Sequence, residues 1–243
     1  MKVKGGRNFY GEAIGVIVFE NNITPAILGD VRNALSYDFP VRFKVIKGIS
    51  PESNSPQNNF DIDGLVQAVR ELEQDGVRAI MISSGCLTKY LFEVASNVSI
   101  PIFSTPLVLV PMISTAIGDN LKVGIITENQ YSAEVLNKIG INEKTPYIIE
   151  ELDMDNAETY VRTYIQGKTE CVDYDKIRRE LVSLITELVK NNPDIGAIVL
   201  DGAPLASFTE AIKEEIGLPM ADFMSLARMV YRAIVPQDYE GFM

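Results

Sequence analysis

The sequence predicts an α/β protein made of two similar halves, each a parallel sheet covered by helices. Short apolar runs alternate with segments of helical period, which is typical of parallel strands joined by helical crossovers. The same order of elements starts again near residue 122. The chain has 243 residues, of which 47% are apolar, so it can fill two cores. We therefore expect two pseudo-symmetric αβα domains with a cleft between them.

The first half contains four apolar segments that predict strands and several segments that predict helices. The predicted strands are 13–19, 41–46, 78–82 and 100–103, and the predicted helices are 61–74, one opening at 83–88, and 107–117. Thr24 followed by Pro25 predicts a helix N-cap and first helical position between the first two strands. The polar segment 48–59 predicts a lid or binding loop.

The second half repeats this plan. Its predicted strands are 122–127, 146–150, 196–200 and 218–220, and its predicted helices are 177–189 and 225–234. The last helix is expected to return to the first half. The predicted domains are therefore residues 1–115 plus 223–243, and residues 116–222.

Composition excludes several kinds of chemistry. The chain has no histidine and only two cysteines, Cys86 and Cys171, without a CxxC pair. Ser-His-Asp and Cys-His nucleophiles, histidine-containing metal sites and iron–sulfur clusters are therefore excluded. Acid–base chemistry would have to come from carboxylates, a cysteine, lysine or tyrosine. No metal site is expected.

Charge and hydropathy limit the partners and the location. The net charge is −11, and an acidic surface repels nucleic acids. The apolar run 14–19 is too short for a signal core, and no run approaches the length of a membrane span. We expect a cytoplasmic protein that binds neither nucleic acid nor membrane.

The carboxyl ends of the predicted strands carry the candidate ligand-binding residues, because ligands of open parallel sheets bind there. These residues are Glu20, Asn21, Ser83, Ser84, Gly85, Thr105, Thr127, Gly202 and Ala203. The serines and the backbone N–H groups that follow them could hold a carboxylate at a helix N-terminus, although plain N-capping explains serine there equally well.

Several motifs resemble those of the aspartate/glutamate racemase superfamily, which includes hydantoin racemases, maleate isomerases and arylmalonate decarboxylases. The motifs span nearly the whole chain. They are DFPVRFKVI at 38–46, GVRAIMISSGCL at 76–87, IPIFST at 100–105, KVGIIT at 122–127 and NPDIGAIVL at 192–200. The resemblance implies the two-domain racemase-like fold. It also implies a small carboxylate or amino acid as ligand, no cofactor, and dimers as a common assembly.

The chain departs from the superfamily at both positions that carry its chemistry. Racemases of this superfamily use two facing cysteines, each just after the third strand of its half. Here those positions fall on Ser84 and Gly202. A serine hydroxyl without a histidine is far too weak an acid to ionise near neutral pH. Two-thiol racemisation is therefore not expected.

Two residues remain as candidate catalytic groups. Cys86 lies in the first turn of a predicted helix, where the dipole favours a thiolate, but free cysteines are usually small, buried and inert residues. Asp201 ends a strand beside Gly202 and could act as a base if burial raised its pKa, or it could simply stabilise an Asp-Gly turn.

Two functions therefore stay open. One is a cofactor-independent isomerase or decarboxylase with altered chemistry. The other is a catalytically silent protein that binds or senses a small carboxylate.

Overall fold

The computed structural model describes residues 5–6, 9–20, 23–47 and 62–236. It contains two four-stranded parallel sheets, as predicted. The first sheet has the strands β1 (Ile14–Phe19), β2 (Val41–Ile46), β3 (Ala79–Ile82) and β4 (Ile102–Phe103). The second has β5 (Lys122–Thr127), β6 (Tyr147–Glu151), β7 (Ile195–Asp201) and β8 (Met220–Ala221). The strand orders, β2-β1-β3-β4 and β6-β5-β7-β8, are equivalent.

Helices cover both sheets. They are α1 (Ile62–Asp75), α2 (Leu91–Ala95), α3 (Val110–Ile117), α4 (Ala133–Lys138), α5 (Glu158–Tyr160), α6 (Tyr174–Asn191), α7 (Thr209–Ile216) and α8 (Phe223–Ile234). Short 3-10 turns at Gly85–Tyr90, Pro106–Leu109 and Leu205–Phe208 precede α2, α3 and α7. A π-helical turn, Val161–Ile165, extends α5.

Three apolar cores hold these layers together. One lies under the first sheet with α1 and α2, and another lies under the second sheet with α6 and α7. The third joins buried residues of both sheets, and α3 and α8 contribute to it. Among the described residues, no helix is long and apolar enough to cross a membrane.

The helix predicted at Thr24–Pro25 does not form. Between β1 and β2 the described chain has only a 3-10 turn, Ala34–Ser36. Instead, the Thr24 hydroxyl donates to the carbonyl of Thr163, and Val31 N–H donates to the carbonyl of Ala203. The segment is thus drawn onto the second half by tertiary contacts that override its local preference. The proposed binding loop at 48–59 lies outside the described residues.

Candidate active site

Three strand-end turns meet between the two sheets. They follow β3, β5 and β7, and the last two are aligned because Thr127 pairs with Asp201 in the sheet. Gly85, after β3, is buried against the second half. A Cβ on Gly85 would lie 2.7 Å from Asn129 Nδ2 and closer still to the Tyr131 hydroxyl. A side chain at this position would require Tyr131 and Asn129 to move.

A cavity of about 870 Å³ opens beside these turns. Both halves contribute to its wall. Its lining includes Ser84, Gly85, Cys86 and Lys89 from the first half, and Glu128, Asn129, Tyr131 and Tyr164 from the second. Among the described residues, no group of three or more Cys, Asp or Glu side chains is arranged to hold a metal ion.

Asp201 is fully buried next to this cavity and accepts hydrogen bonds from several side chains. Its Oδ1 accepts a hydrogen bond from Thr105 at 2.6 Å, and its Oδ2 accepts from Thr127 at 2.7 Å and from Tyr131 at 2.6 Å. Asn129 Nδ2 adds a longer contact of 3.4 Å. Burial raises the pKa of Asp201, and these hydrogen bonds oppose the rise. The carboxyl is therefore engaged in joining β4 to the second half.

Glu128 is one of the carboxyl side chains that line the cavity, together with Glu134, Glu151 and Asp153. Its Oε1 accepts a hydrogen bond from the hydroxyl of Tyr160. Burial raises the pKa of Glu128 to about 8, and the nearby Asp201 adds to the rise while the Tyr160 bond opposes it. A carboxyl with this pKa exchanges protons near neutral pH, as a general acid or base must.

Gly202 explains why Glu128 fits at this place. A Cβ built on Gly202 would lie 2.6 Å from Glu128 Cδ and 2.9 Å from Glu128 Cγ. Real Cβ atoms essentially never come so close to other atoms. The glutamate side chain thus occupies the space that a side chain at position 202 would need.

Cys86 lines the same cavity from the first half. It is half-buried, and its Sγ lies 2.9 Å from Ser84 Oγ. Burial raises the pKa of the Cys86 thiol, whereas the sequence suggested a thiolate favoured by the helix terminus. Cys86 lies in a 3-10 turn of only six residues, which has a weak dipole. The desolvation of the thiol therefore has the larger effect on its pKa.

The other predicted binding residues have diverse surroundings. Thr105 and Thr127 are buried, and their hydroxyls donate hydrogen bonds to Asp201. Ser83 and Ala203 are half-buried, and Glu20 is exposed at the end of β1. Asn21 lies outside the described residues.

No role was predicted from the sequence for Glu128, Tyr131 or Tyr160. Glu128 directly follows β5, so its strand-end position was a usable signal. Tyr131 lies in a loop and Tyr160 in the short helix α5. Neither position can be predicted from the hydrophobic periodicity of the sequence.

The chain belongs to the family of Asp/Glu/hydantoin racemases, whose family model matches residues 44–228. Its similarity to individual characterised proteins is low. It is 24% identical to a dimethylsulfoniopropionate lyase of Durusdinium sp. clade D, over 96% of this chain and 79% of the relative. It is 25% identical to dimethylsulfoniopropionate lyase 5 of Emiliania huxleyi (strain CCMP1516), over 67% of this chain but only 35% of that relative.

Several solved structures have a similar fold. An unliganded arylmalonate decarboxylase matches with a TM-score of 0.57 at 14% identity, over 94% of both chains. An aspartate racemase homologue from Pyrococcus horikoshii OT3 matches with a TM-score of 0.56 at 16% identity, over 91% of this chain and 99% of the homologue. The aspartate racemase of Picrophilus torridus matches with a TM-score of 0.53 at 14% identity, over 92% of this chain and 94% of the racemase. The racemase-like fold expected from the sequence motifs is thereby confirmed.

Proposed function

We propose that this protein is a cofactor-independent enzyme that removes a proton from the carbon next to a carboxylate group, with Glu128 as the base. The observation that carries the proposal is the position of the Glu128 carboxyl. It lines the cavity, its pKa is raised to about 8, and it fills the space beside Gly202, where the superfamily's second cysteine would stand.

Glu128 supplies what the missing cysteine would have supplied. Family racemases need an ionisable group on each side of the substrate carbon. Neither Gly202 nor an unactivated Ser84 hydroxyl can accept a proton near neutral pH. Glu128 is half-buried. A carboxyl with a raised pKa is a stronger base than an ordinary one, and its ionised form becomes abundant as the pH approaches 8.

The first half supplies groups suited to the substrate carboxylate. Ser84, the backbone of Gly85 and the exposed Lys89 border the cavity across from Glu128. A hydroxyl, N–H groups and an ammonium are the donors that a carboxylate prefers. This arrangement supports a small carboxylate as the substrate class, with its reacting carbon directed toward Glu128.

A lyase reaction fits the asymmetric site best. In an elimination, Glu128 takes the α-proton, the C–H electrons form a carbon–carbon double bond, and the β-substituent leaves with its bonding electrons. Solvent then takes the proton from Glu128, so one base is sufficient. Two relatives are named as lyases of dimethylsulfoniopropionate, a propionate with a β-sulfonium leaving group.

An isomerase is the second candidate, and Cys86 is the observation that favours it. Its thiol lines the cavity from the opposite half, and burial raises its pKa, so it is protonated near pH 7. A neutral thiol can return a proton to the face opposite the base. In this reaction Cys86 serves as an acid.

Proton NMR in D₂O tests the proposal. The substrate panel contains amino acids, hydantoins, substituted malonates and dimethylsulfoniopropionate, and the signals followed are α-proton loss, new alkene protons and decarboxylation. We expect turnover by the natural protein and a loss of at least about 100-fold in Glu128→Gln, the scale of a missing general base. Glu143→Gln, a change at an exposed carboxylate outside the cavity, is the matched control and should retain the rate.

The pH profile and Cys86→Ala separate the candidate reactions. With Glu128 as base, the rate should rise with pH and level off above about 8. Elimination should persist in Cys86→Ala, whereas isomerisation should fail. Full activity in Glu128→Gln would show that Glu128 is not the base. Ligand line broadening without any reaction across the panel would instead indicate the binding protein.

A further inference from the structure

We propose that Tyr160 is the positioning residue that holds the Glu128 carboxyl at the cavity wall and sets the pH at which it accepts a proton. The inference deepens the proposed function and rests on it for the reaction, but not for the titration of Glu128. Tyr160 itself is fully buried and does not reach the substrate space.

The contact between the two side chains is direct. The Tyr160 hydroxyl donates to Glu128 Oε1. The Tyr160 ring is packed in the core of the second half and contacts the Tyr164 ring, with 5.2 Å between the ring centroids. A phenol fixed in a core can direct a hydrogen bond with little loss of side-chain entropy. Glu128 therefore has one preferred orientation beside Gly202.

The backbone that carries Tyr160 is itself fixed by a second carboxylate. Glu180, on α6, accepts hydrogen bonds from Thr159 N–H at 3.0 Å and from Tyr160 N–H at 3.3 Å, and also from the Thr159 hydroxyl. These N–H groups lie in the first turn of α5 and have no partner within the helix. Glu180 of α6 thus holds the backbone of α5 in place, and Tyr160 of α5 holds the Glu128 carboxyl.

Several charged or titratable groups act on Glu128 besides Tyr160. They are Asp201 of β7, Asp30 and Arg32 of the segment between β1 and β2, Tyr164 of the π-helical turn, and Cys86 after β3. Burial and the two aspartates raise the pKa of Glu128, while Tyr160 and Arg32 lower it. Asp30 and Arg32 form a bidentate ion pair, so their opposite effects largely cancel. Tyr160 is thus the hydrogen-bond donor that opposes desolvation.

Tyr160→Phe tests the inference, because it removes the hydroxyl and leaves the ring. The readout is the ¹³C NMR titration of the Glu128 carboxyl, identified by its absence in Glu128→Gln. We expect the pKa to rise by about one pH unit, the scale of one hydrogen bond to a carboxylate. Activity at pH 7 should fall about tenfold and recover at high pH, where Glu128 is ionised again. Tyr147→Phe removes a tyrosine hydroxyl elsewhere in the second half. It should change neither the titration of Glu128 nor the pH dependence of the activity.

Glu180→Gln provides a second route in case Tyr160→Phe folds poorly. It weakens the support of Tyr160 without touching the phenol, so the Glu128 pKa should rise by a smaller amount. Adding Glu180→Gln to Tyr160→Phe should then cause no further rise. An unchanged Glu128 titration in Tyr160→Phe would overturn the inference. A shifted titration in a protein without turnover would support it while refuting the proposed function.

Discussion

The turns after β3 and β7 occupy equivalent places in two equivalent sheets, yet their surroundings differ. After β3, Ser84 and Cys86 border the cavity with their side chains in mutual contact. At the end of β7, Asp201 is fully buried, and the next residue, Gly202, has no room for a side chain because Glu128 occupies that space. A symmetric backbone thus carries different side chains at its two equivalent turns. Symmetry of the fold does not imply symmetric chemistry.

Removing Asp201 should have the largest effect on stability. Asp201→Ala leaves the buried hydroxyls of Thr105 and Thr127, and that of Tyr131, without their acceptor. We expect the free energy of unfolding to fall by about 3 kcal/mol or more. The corresponding change after β3, Ser83→Ala, should cost less than about 1 kcal/mol. Urea denaturation of the two variants measures both values. Equal losses of stability would show that Asp201 is not an important hydrogen-bond acceptor for the fold.

A side chain at position 202 should be poorly tolerated. Gly202→Ala places a Cβ against Glu128 and also 2.9 Å from Leu205 Cδ1, so we expect a loss of about 1 to 3 kcal/mol and displacement of Glu128. In contrast, Ser84→Cys preserves shape and should cost less than about 1 kcal/mol. Thermal unfolding compares the two. Restoring both cysteines would therefore also require shortening Glu128, for example by Glu128→Ala.

The raised pKa of Glu128 should make stability depend on pH. The unfolded chain releases this proton near the ordinary value of 4.5, while the native protein keeps it until about pH 8. Between these values the native state binds more protons, so its stability falls as pH rises, by about 1.4 kcal/mol per pH unit for this group. Relative to Glu128→Gln, the natural protein should lose stability from pH 5 to 8 and then level off. Parallel curves in denaturation experiments would show that Glu128 titrates normally.

The two thiols should differ in reactivity. Cys171 is exposed, whereas Cys86 is half-buried and burial raises its pKa. In single-cysteine variants, Cys171→Ser and Cys86→Ser, we expect Cys86 to react with a thiol reagent at pH 7 at least about tenfold more slowly than Cys171. A mass-spectrometric time course measures both rates. Fast labelling of Cys86 would restore it as a candidate base.

Most of the sheet framework could be predicted from the sequence. Strands β2 and β5 begin and end at the predicted residues. Strand β5 is a short, largely buried apolar run with clear limits, whereas only Ile46 of β2 is buried. The prediction failed at Thr24, whose hydroxyl bonds to a carbonyl 139 residues away. No local pattern contains such a contact.

The site could be predicted only in part. Strand-end positions identified Ser84, Cys86 and Asp201 as residues near one edge of the sheets. The sequence could not show that Glu128 fills the space beside Gly202, because that depends on the distance between two loops. Nor could it place Tyr160 behind Glu128, since α5 is only three residues long and has no measurable periodicity.

The segment between β1 and β2 has a consequence for biosynthesis. It leaves the ribosome early, but its acceptors, the carbonyls of Thr163 and Ala203, belong to the last part of the chain to be made. Gly29, with a positive φ of 97°, likewise packs against the backbone of Ser207. During translation this segment therefore lacks its docking surface until most of the second half has been made.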